Sequence, residues 1–414
     1  MEPTVALIGT LDTKGVEIAY VGDQIRALGC SILVIDSGIL DEPVVDCADI
    51  TREMVAAAAG TTIEALRRAA TRGAAIERMR EGVRQVVLER YHAGAIQGVL
   101  CLGGSEGAVM GAYAMAALPL GVPTLIVSPT ASGRRPFGPL VGHRDTFILH
   151  SVVDILGINA ISRVVYDNAA AAMAGMVRQA HAVTPDPGSR LVGLTMLGNT
   201  TTAVMHLLPI LAARGYQGVI FHANGVGGVS MEQLIEAGMF TGVIDYTLSE
   251  LAGEVAGGFH APSQPRLVAA GRLGLPQVVV ATCVDFTAHG ARHMVPEALR
   301  GRASYYHNPE ATLVRIDAAE MGAIGALLAE RLNAARGPCT LVLPLRGFSI
   351  GGAPGGAMYD PEADARFVYS LKEQLAAHVP IVEVDAHANS RECAEVAARL
   401  FLDIAATRAE KGAR

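Results

Sequence analysis

The sequence contains no tryptophan, and its aromatic residues amount to only 5%. A folded core must therefore be built mainly from aliphatic side chains, and a hydrophobic content of 51% supplies them and excludes intrinsic disorder. Cysteine is scarce. Cys30, Cys47, Cys101, Cys283, Cys339 and Cys393 lie far apart and form no CxxC pair, which argues against a zinc ribbon or a disulfide scaffold and for reduced thiols. Positive charge is in deficit, 33 Lys and Arg against 40 Asp and Glu for a net −7, so the basic face that nucleic acid demands is not expected. No uninterrupted run of about 18 apolar residues could cross a membrane. The opening MEPTVALIGTLDTKG lacks the basic start of a secretory signal, so a cytoplasmic protein is expected.

What the sequence has in quantity is glycine, 46 in 414 residues, placed where short apolar runs end. The length suits two doubly wound domains better than one. Val5 to Ile8 reads as a strand ending at Gly9, a helix follows from Gly15 to Leu28, and Ile32 to Ile35 reads as a second strand ending at Asp36. From Ile39 to Gly60 no period is evident and a long loop is expected, followed by a charged helix from Ile63 to about Tyr91. Strands at Gly98–Leu102 and Pro123–Val127 and a helix from Asn159 to His181 complete the first half. Pro185, Asp186, Pro187 and Gly188 read as a hinge, which sets domains at 1–184 and 189–414. The pattern then restarts at Leu191–Met196 and continues through strands at Gly218–Phe221, Gly242–Asp245, Gln277–Ala281, Thr340–Leu343 and Ile381–Val384. Strand and helix in alternation predict an α/β protein of two Rossmann-like domains, each a mainly parallel sheet flanked by helices, with a cleft between the domains.

In such sheets ligands sit beyond the carboxyl ends of the strands, where helix N-termini favour anions. GTLDTKG, Gly9 to Gly15, occupies one such end: Thr10 and Thr13 offer hydroxyls and Lys14 a charge for phosphate, although the spacing is not that of a Walker A loop. Asp12 beside phosphate requires an intervening magnesium ion, proton or ribose hydroxyl; otherwise it caps the following helix. GGSEG places Gly103, Gly104 and Ser105 before a helix, with Glu106 raising the same charge conflict. SPTASG offers Thr130 and Ser132, and GNTT offers Asn199 and Thr200. HANGVGG sets His222 and Asn224 beside three glycines; as a dinucleotide turn it is weak, and Asp245 meets only loosely the expected acidic partner. PLRGFSIGGAPGG, with Arg346 and Ser349, reads as a loop that ends at an N-capped helix near Asp360. Asp285, His289 and His293, four apart, would share a helical face as metal ligands do, but Gly290 opposes a helix there and no HExxH accompanies them, so no metal site is assigned. Asp385 and His387 end the last strand, and His387 could act as a general base.

Taken together, GTLDTKG, GGSEGA, SPTASG, SVVDILGINAISRVVYDNAAAAMAGM, GNTT, FHANGVGG, HNPEATLVR, PLRGFS, DPEAD and DAHANS resemble one family over nearly the whole chain. It is the family typified by the amino-terminal part of the tomato mosaic virus resistance protein, labelled a Tm-one-like ATP-binding domain. The resemblance implies ATP, with Mg²⁺, held between two Rossmann-like domains, and a homodimer. It carries Thr10, Asp12, Thr13, Lys14, Gly103, Gly104 and Ser105 over as nucleotide contacts, faced by Arg346 and Ser349 from the other half. Fused relatives imply a TIM-barrel partner resembling phosphoenolpyruvate hydrolase. The stretch Cys283 to His293 departs from the family pattern, so substrate identity does not transfer. The expected function is an ATP-dependent enzyme, or the nucleotide-binding component of one, acting on a small carboxylate or keto-acid metabolite clamped by Arg346. A non-catalytic nucleotide sensor and an NAD-linked dehydrogenase are the alternatives.

Overall fold

A computed structural model describes residues 2–131, 138–180, 183 and 188–412. Ser132 and Pro185 to Pro187 of the expected hinge lie outside these. The chain divides into two compact units, Met1–Thr184 and Pro185–Arg414. Each is a parallel sheet flanked by helices, the Rossmann-like arrangement predicted from the alternation of apolar runs.

The amino-terminal unit runs β1 (Thr4–Gly9), α1 (Leu11–Ala27), β2 (Ser31–Asp36), α2 (Arg52–Ala58), α3 (Ile63–Arg67), α4 (Arg72–His92), β3 (Gly98–Leu102), α5 (Ser105–Met115), β4 (Thr124–Ser128), α6 (Gly138–Val141), β5 (Phe147–His150) and α7 (Ala160–Gln179). Its strands lie in the order β2-β1-β3-β4-β5, all parallel. Alternation along β1 serves both faces: Val5 and Leu7 pack with Ile18 and Val21 of α1 and with Tyr166 and Met173 of α7. Ala6 and Ile8 pack instead with Val55 of α2, Val83 of α4 and Ala108 of α5. A one-residue slip of β1 would exchange the two faces, so the register is strongly specified. The charged helix expected from Ile63 to Tyr91 is in fact two, because the Thr62 and Thr71 side chains cap α3 and α4 separately.

The second unit runs β6 (Arg190–Met196), α8 (Thr201–Ala212), β7 (Tyr216–His222), α9 (Gly227–Glu236), β8 (Gly242–Asp245), α10 (Ser249–Ala256), α11 (Ala269–Arg272), β9 (Gln277–Val280), β10 (Phe286–His289), β11 (Ser304–Asn308), β12 (Ala311–Arg315), α12 (Ala318–Asn333), β13 (Cys339–Pro344), α13 (Pro361–Gln374), β14 (Ile381–Val384) and α14 (Arg391–Gly412). The order β14-β13-β9-β8-β6-β7 is again parallel throughout. A small antiparallel sheet, β10-β12-β11, is inserted after β9 and was not anticipated. It corrects the helical reading of Asp285, His289 and His293: Asp285 precedes β10, His289 ends it, and His293 lies in a short 3₁₀ turn. Among the described residues no helix is long and apolar enough to cross a membrane.

Candidate functional site

In the amino-terminal unit the strand order reverses between β1 and β3, and helices leave the two strands toward opposite faces. That divergence opens a crevice at the strands' carboxyl ends. A cleft of about 520 Å³ occupies it. It is lined where β1 passes into α1, by Thr10, Asp12, Thr13 and Lys14, and where β3 passes into α5, by Gly104, Ser105, Glu106 and Gly107. The rest of its lining is mostly apolar, formed by Ile39 and Leu40 after β2, Leu66 of α3, Ala75 and Ile76 of α4 and Met110 of α5, with Arg67 and Arg72 beside them. Two loops 90 residues apart in sequence, both singled out for hydroxyls and glycine, thus share one cavity.

The cleft's charges are arranged with their partners. Asp12 does not cap its own helix; its Oδ2 accepts the Leu40 N–H at 3.0 Å and ties the segment after β2 to the start of α1. Asp36 takes the capping part from the next strand, accepting Leu11 N–H at 3.0 Å and Gly38 N–H at 2.8 Å. Burial pushes the Asp36 carboxyl above its ordinary range, and the charge of Asp12 adds to the rise against those two donors. Lys14 interrupts the regular helix with φ −127° and ψ 16°, and its ammonium lies 3.5 Å from Asp154. Arg72 reaches Glu106 at 2.6 Å from the start of α4 to the start of α5, and Arg67 donates to the Ile39 carbonyl at 2.8 Å. α5 begins at Gly104 with no side-chain cap, whereas α2, α3, α4 and α7 are capped by Thr51, Thr62, Thr71 and Asn159.

Other expected contacts do not line this cleft. Gly9 serves packing, since a Cβ there would overlap Ile18 of α1, and Gly103 likewise abuts Gly107. Thr130 pairs with Ser128 at 2.9 Å beyond β4. Sequence reading missed the lining at Ile39, Leu40, Leu66, Ala75 and Ile76: residues 39–60 showed no period and signalled only a loop, residues 63–91 read as one charged helix, and the Thr caps at 62 and 71 were the available sign of finer structure there.

In the carboxyl-terminal unit the strand-end groups are engaged from within. The glycine turn HANGVGG cradles an anion, but the anion is Glu250, whose Oε1 accepts Gly225 N–H at 2.8 Å and Gly228 N–H at 3.1 Å. Glu250 in turn binds Arg266 at 2.7 Å, as do Glu232 at 2.6 Å and Asp245 at 2.8 Å, all of them buried. Asp245 is therefore no ribose partner. A Cβ at 228 would overlap Glu250 and the Arg266 guanidinium, which explains the glycine there without any ligand. His222 and Asn224 stand exposed at the rim of this turn. Asn199 is spent on the Ile350 N–H at 3.0 Å, and Thr200 pairs with Thr247 at 2.8 Å.

Ser349 is fully buried and donates to Asp285 at 2.7 Å, which corrects its expected role as a nucleotide contact. Asp285 also pairs with Arg315 at 3.3 Å, and Arg315 with Asp364 at 2.6 Å. Arg346 is held by Asp385 in a two-pronged contact of 2.5 and 2.9 Å, so a substrate carboxylate would have to displace Asp385. The Arg346 charge holds the Asp385 carboxyl below its usual range. His387 is fixed in one tautomer: Nδ1 accepts the Asn389 N–H and Nε2 must then donate to the Ser349 carbonyl, both at 3.0 Å. An imidazole with both nitrogens so committed is a brace, not a poised base.

The sequence matches two family models, the N-terminal domain of an uncharacterised protein family (UPF0261) at residues 3–182 and the C-terminal domain of the same family at 189–405. A UPF0261 protein of Clostridium tetani is 37% identical over 406 residues, covering 98% of this chain and 99% of that protein. One from Mesorhizobium japonicum is 36% identical, covering 96% and 98% respectively. The ToMV resistance protein Tm-1 of Solanum lycopersicum is 32% identical over 97% of this chain, which spans 56% of the tomato protein.

Proposed function

The chain belongs to the UPF0261 family over nearly its whole length, and on that premise we propose that its amino-terminal unit binds a nucleotide, ATP with Mg²⁺, in the cleft between the β1 and β3 loops. One observation carries the reading: a single cavity of about 520 Å³ is lined both by hydroxyls, the cations Lys14, Arg67 and Arg72 and an uncapped helix start, and by aliphatic side chains. A nucleotide combines the matching two characters, an anionic phosphate end and an apolar base face. Asp12 and the neighbouring Thr13 suit magnesium, which takes one or two carboxylates and leaves its other positions to phosphate and water. The ion would supply the positive charge that a phosphate beside Asp12 requires.

Chemistry on a small carboxylate or keto-acid metabolite is the enzymatic form of this proposal, with Arg346 as its clamp once released from Asp385. The engagement of His387 and Ser349 favours the second reading, a nucleotide sensor, because neither group stands ready to move a proton. A homodimer and a TIM-barrel partner rest on the family resemblance alone. An NAD-linked dehydrogenase loses its main support, since Glu250 takes the glycine turn that would receive a pyrophosphate. Thermal unfolding with ATP and magnesium tests the proposal: at 100 times the dissociation constant the folded state should gain about 2.7 kcal/mol. A shift with NAD and none with ATP would overturn it.

A further inference from the structure

Two carboxylates, Asp12 and Glu106, line a cleft that is read as an anion site, and each needs an account. Asp12 is committed to the Leu40 N–H. Glu106 has a different arrangement. It is the second residue of α5, at the helix start where a phosphate would bind, and its partner Arg72 is the first residue of α4, the neighbouring helix, and lines the same cavity. The helix dipole favours the carboxylate in its place and opposes the cation in its own, so the local helix gives Arg72 no reason to be there. What holds Arg72 at the cavity is the charge of Glu106.

Resting on the nucleotide reading above, we propose that Glu106 is a stand-in for the ligand's phosphate, holding Arg72 at the cleft and releasing it to a dianionic group. Both side chains are substantially exposed, 66% for Arg72 and 41% for Glu106, so water screens the pair and breaking it costs little. A phosphate oxygen pair offers the guanidinium two parallel hydrogen bonds and twice the charge of a carboxylate. A ligand carboxylate offers no more than Glu106 already does, while Glu106 is tethered and pays no association entropy. The pair therefore selects for phosphate against carboxylate, and it makes Arg72 the cation that recognises the phosphate group.

Isothermal titration of the full chain tests this, with ATP plus magnesium and with adenosine as the phosphate-free probe. Glu106→Gln removes the competitor and should tighten ATP by about 2- to 5-fold, the equivalent of one exposed ion pair. Arg72→Ala should weaken ATP by about 10-fold or more, the scale of a lost charge-assisted hydrogen bond. Adenosine affinity should not rise in Glu106→Gln. Unchanged or weaker ATP binding by Glu106→Gln overturns the exchange while leaving the nucleotide reading in place, and so does an equal gain for adenosine, which would mean a change of cleft shape. Failure of the wild-type chain to bind ATP overturns the exchange and the nucleotide reading together.

Discussion

Gly228 donates its backbone N–H to Glu250 Oε1 at 3.1 Å, and Gly225, three residues earlier, gives the same oxygen a second hydrogen bond. Glycine after a parallel strand creates an anion cradle, and here the chain supplies the anion itself. The corresponding turns of the amino-terminal unit, after β1 and β3, surround an open cavity instead. Local sequence of one kind thus has two outcomes, decided by whether another part of the chain reaches the turn.

Glu250→Ala should cost about 3 to 5 kcal/mol, the usual consequence of removing one member of a buried ionic network. Two N–H groups lose their acceptor and Arg266 loses one of three carboxylates. Urea unfolding measures the loss, and NAD should not restore it. A cost under about 1 kcal/mol would show that the cradle contributes no more than an ordinary hydrogen bond.

Two half-buried groups give stability opposite dependences on pH. Burial raises Asp364 from 3.8 to about 6 despite Arg315, so between those values the folded state holds a proton that the unfolded state has lost, and stability falls as pH rises. Burial lowers His260 from 6.5 to about 4, with the charges of His222 and His289 adding to it. Between those values the unfolded state holds the extra proton, and stability rises with pH. Asp364→Asn removes the falling contribution, so relative to wild type it should gain up to about 3 kcal/mol from pH 4 to 6. Urea midpoints at pH 4, 5 and 6 check the sign; a variant that loses ground over that range would contradict it.

The fold was legible wherever short aliphatic runs met glycine or a turn. Val5–Ile8, Ile32–Ile35, Gly98–Leu102 and Ile381–Val384 became strands because their apolar side chains pack against the core on one or both faces. The sheet β10-β12-β11 escaped notice because Phe286–His289 mixes Thr and His with apolar residues, and its pairing is set by residues 23 to 29 positions onward. The two loops of the cleft were legible from hydroxyls and glycine, but the meaning of HANGVGG was not: Glu250 and Arg266, which fill it, lie 22 to 41 residues away and carry no local sign of that contact. His387 looked like a base for the same reason, since sequence shows an imidazole and not the two backbone groups that hold it.

Lys14→Ala should weaken ATP binding by about 10- to 150-fold, the loss of one charge-assisted contact. The apo fold should scarcely change, because the Asp154 partner at 3.5 Å is largely exposed. Isothermal titration decides; full ATP affinity in the variant would remove Lys14 from the phosphate end of the cleft.

Arg346→Ala should leave ATP affinity within a few-fold of wild type, because its side chain is occupied by Asp385 in the other unit's own strand-end loops. Stability should also change little for so exposed a pair. If the chain acts on a carboxylate metabolite, turnover of ATP with that metabolite should fall in this variant; a large loss of ATP affinity alone would contradict the assignment.

Hydrogen exchange of the full chain with and without ATP and magnesium tests the central claim most directly, because it reports both binding and its location. Slowed exchange is predicted in the amides of residues 10–15, 37–40, 66–76 and 103–110, with 222–228 and 345–352 unchanged. Protection confined to the glycine turns of the carboxyl-terminal unit, or no protection with saturating ATP, would contradict the account.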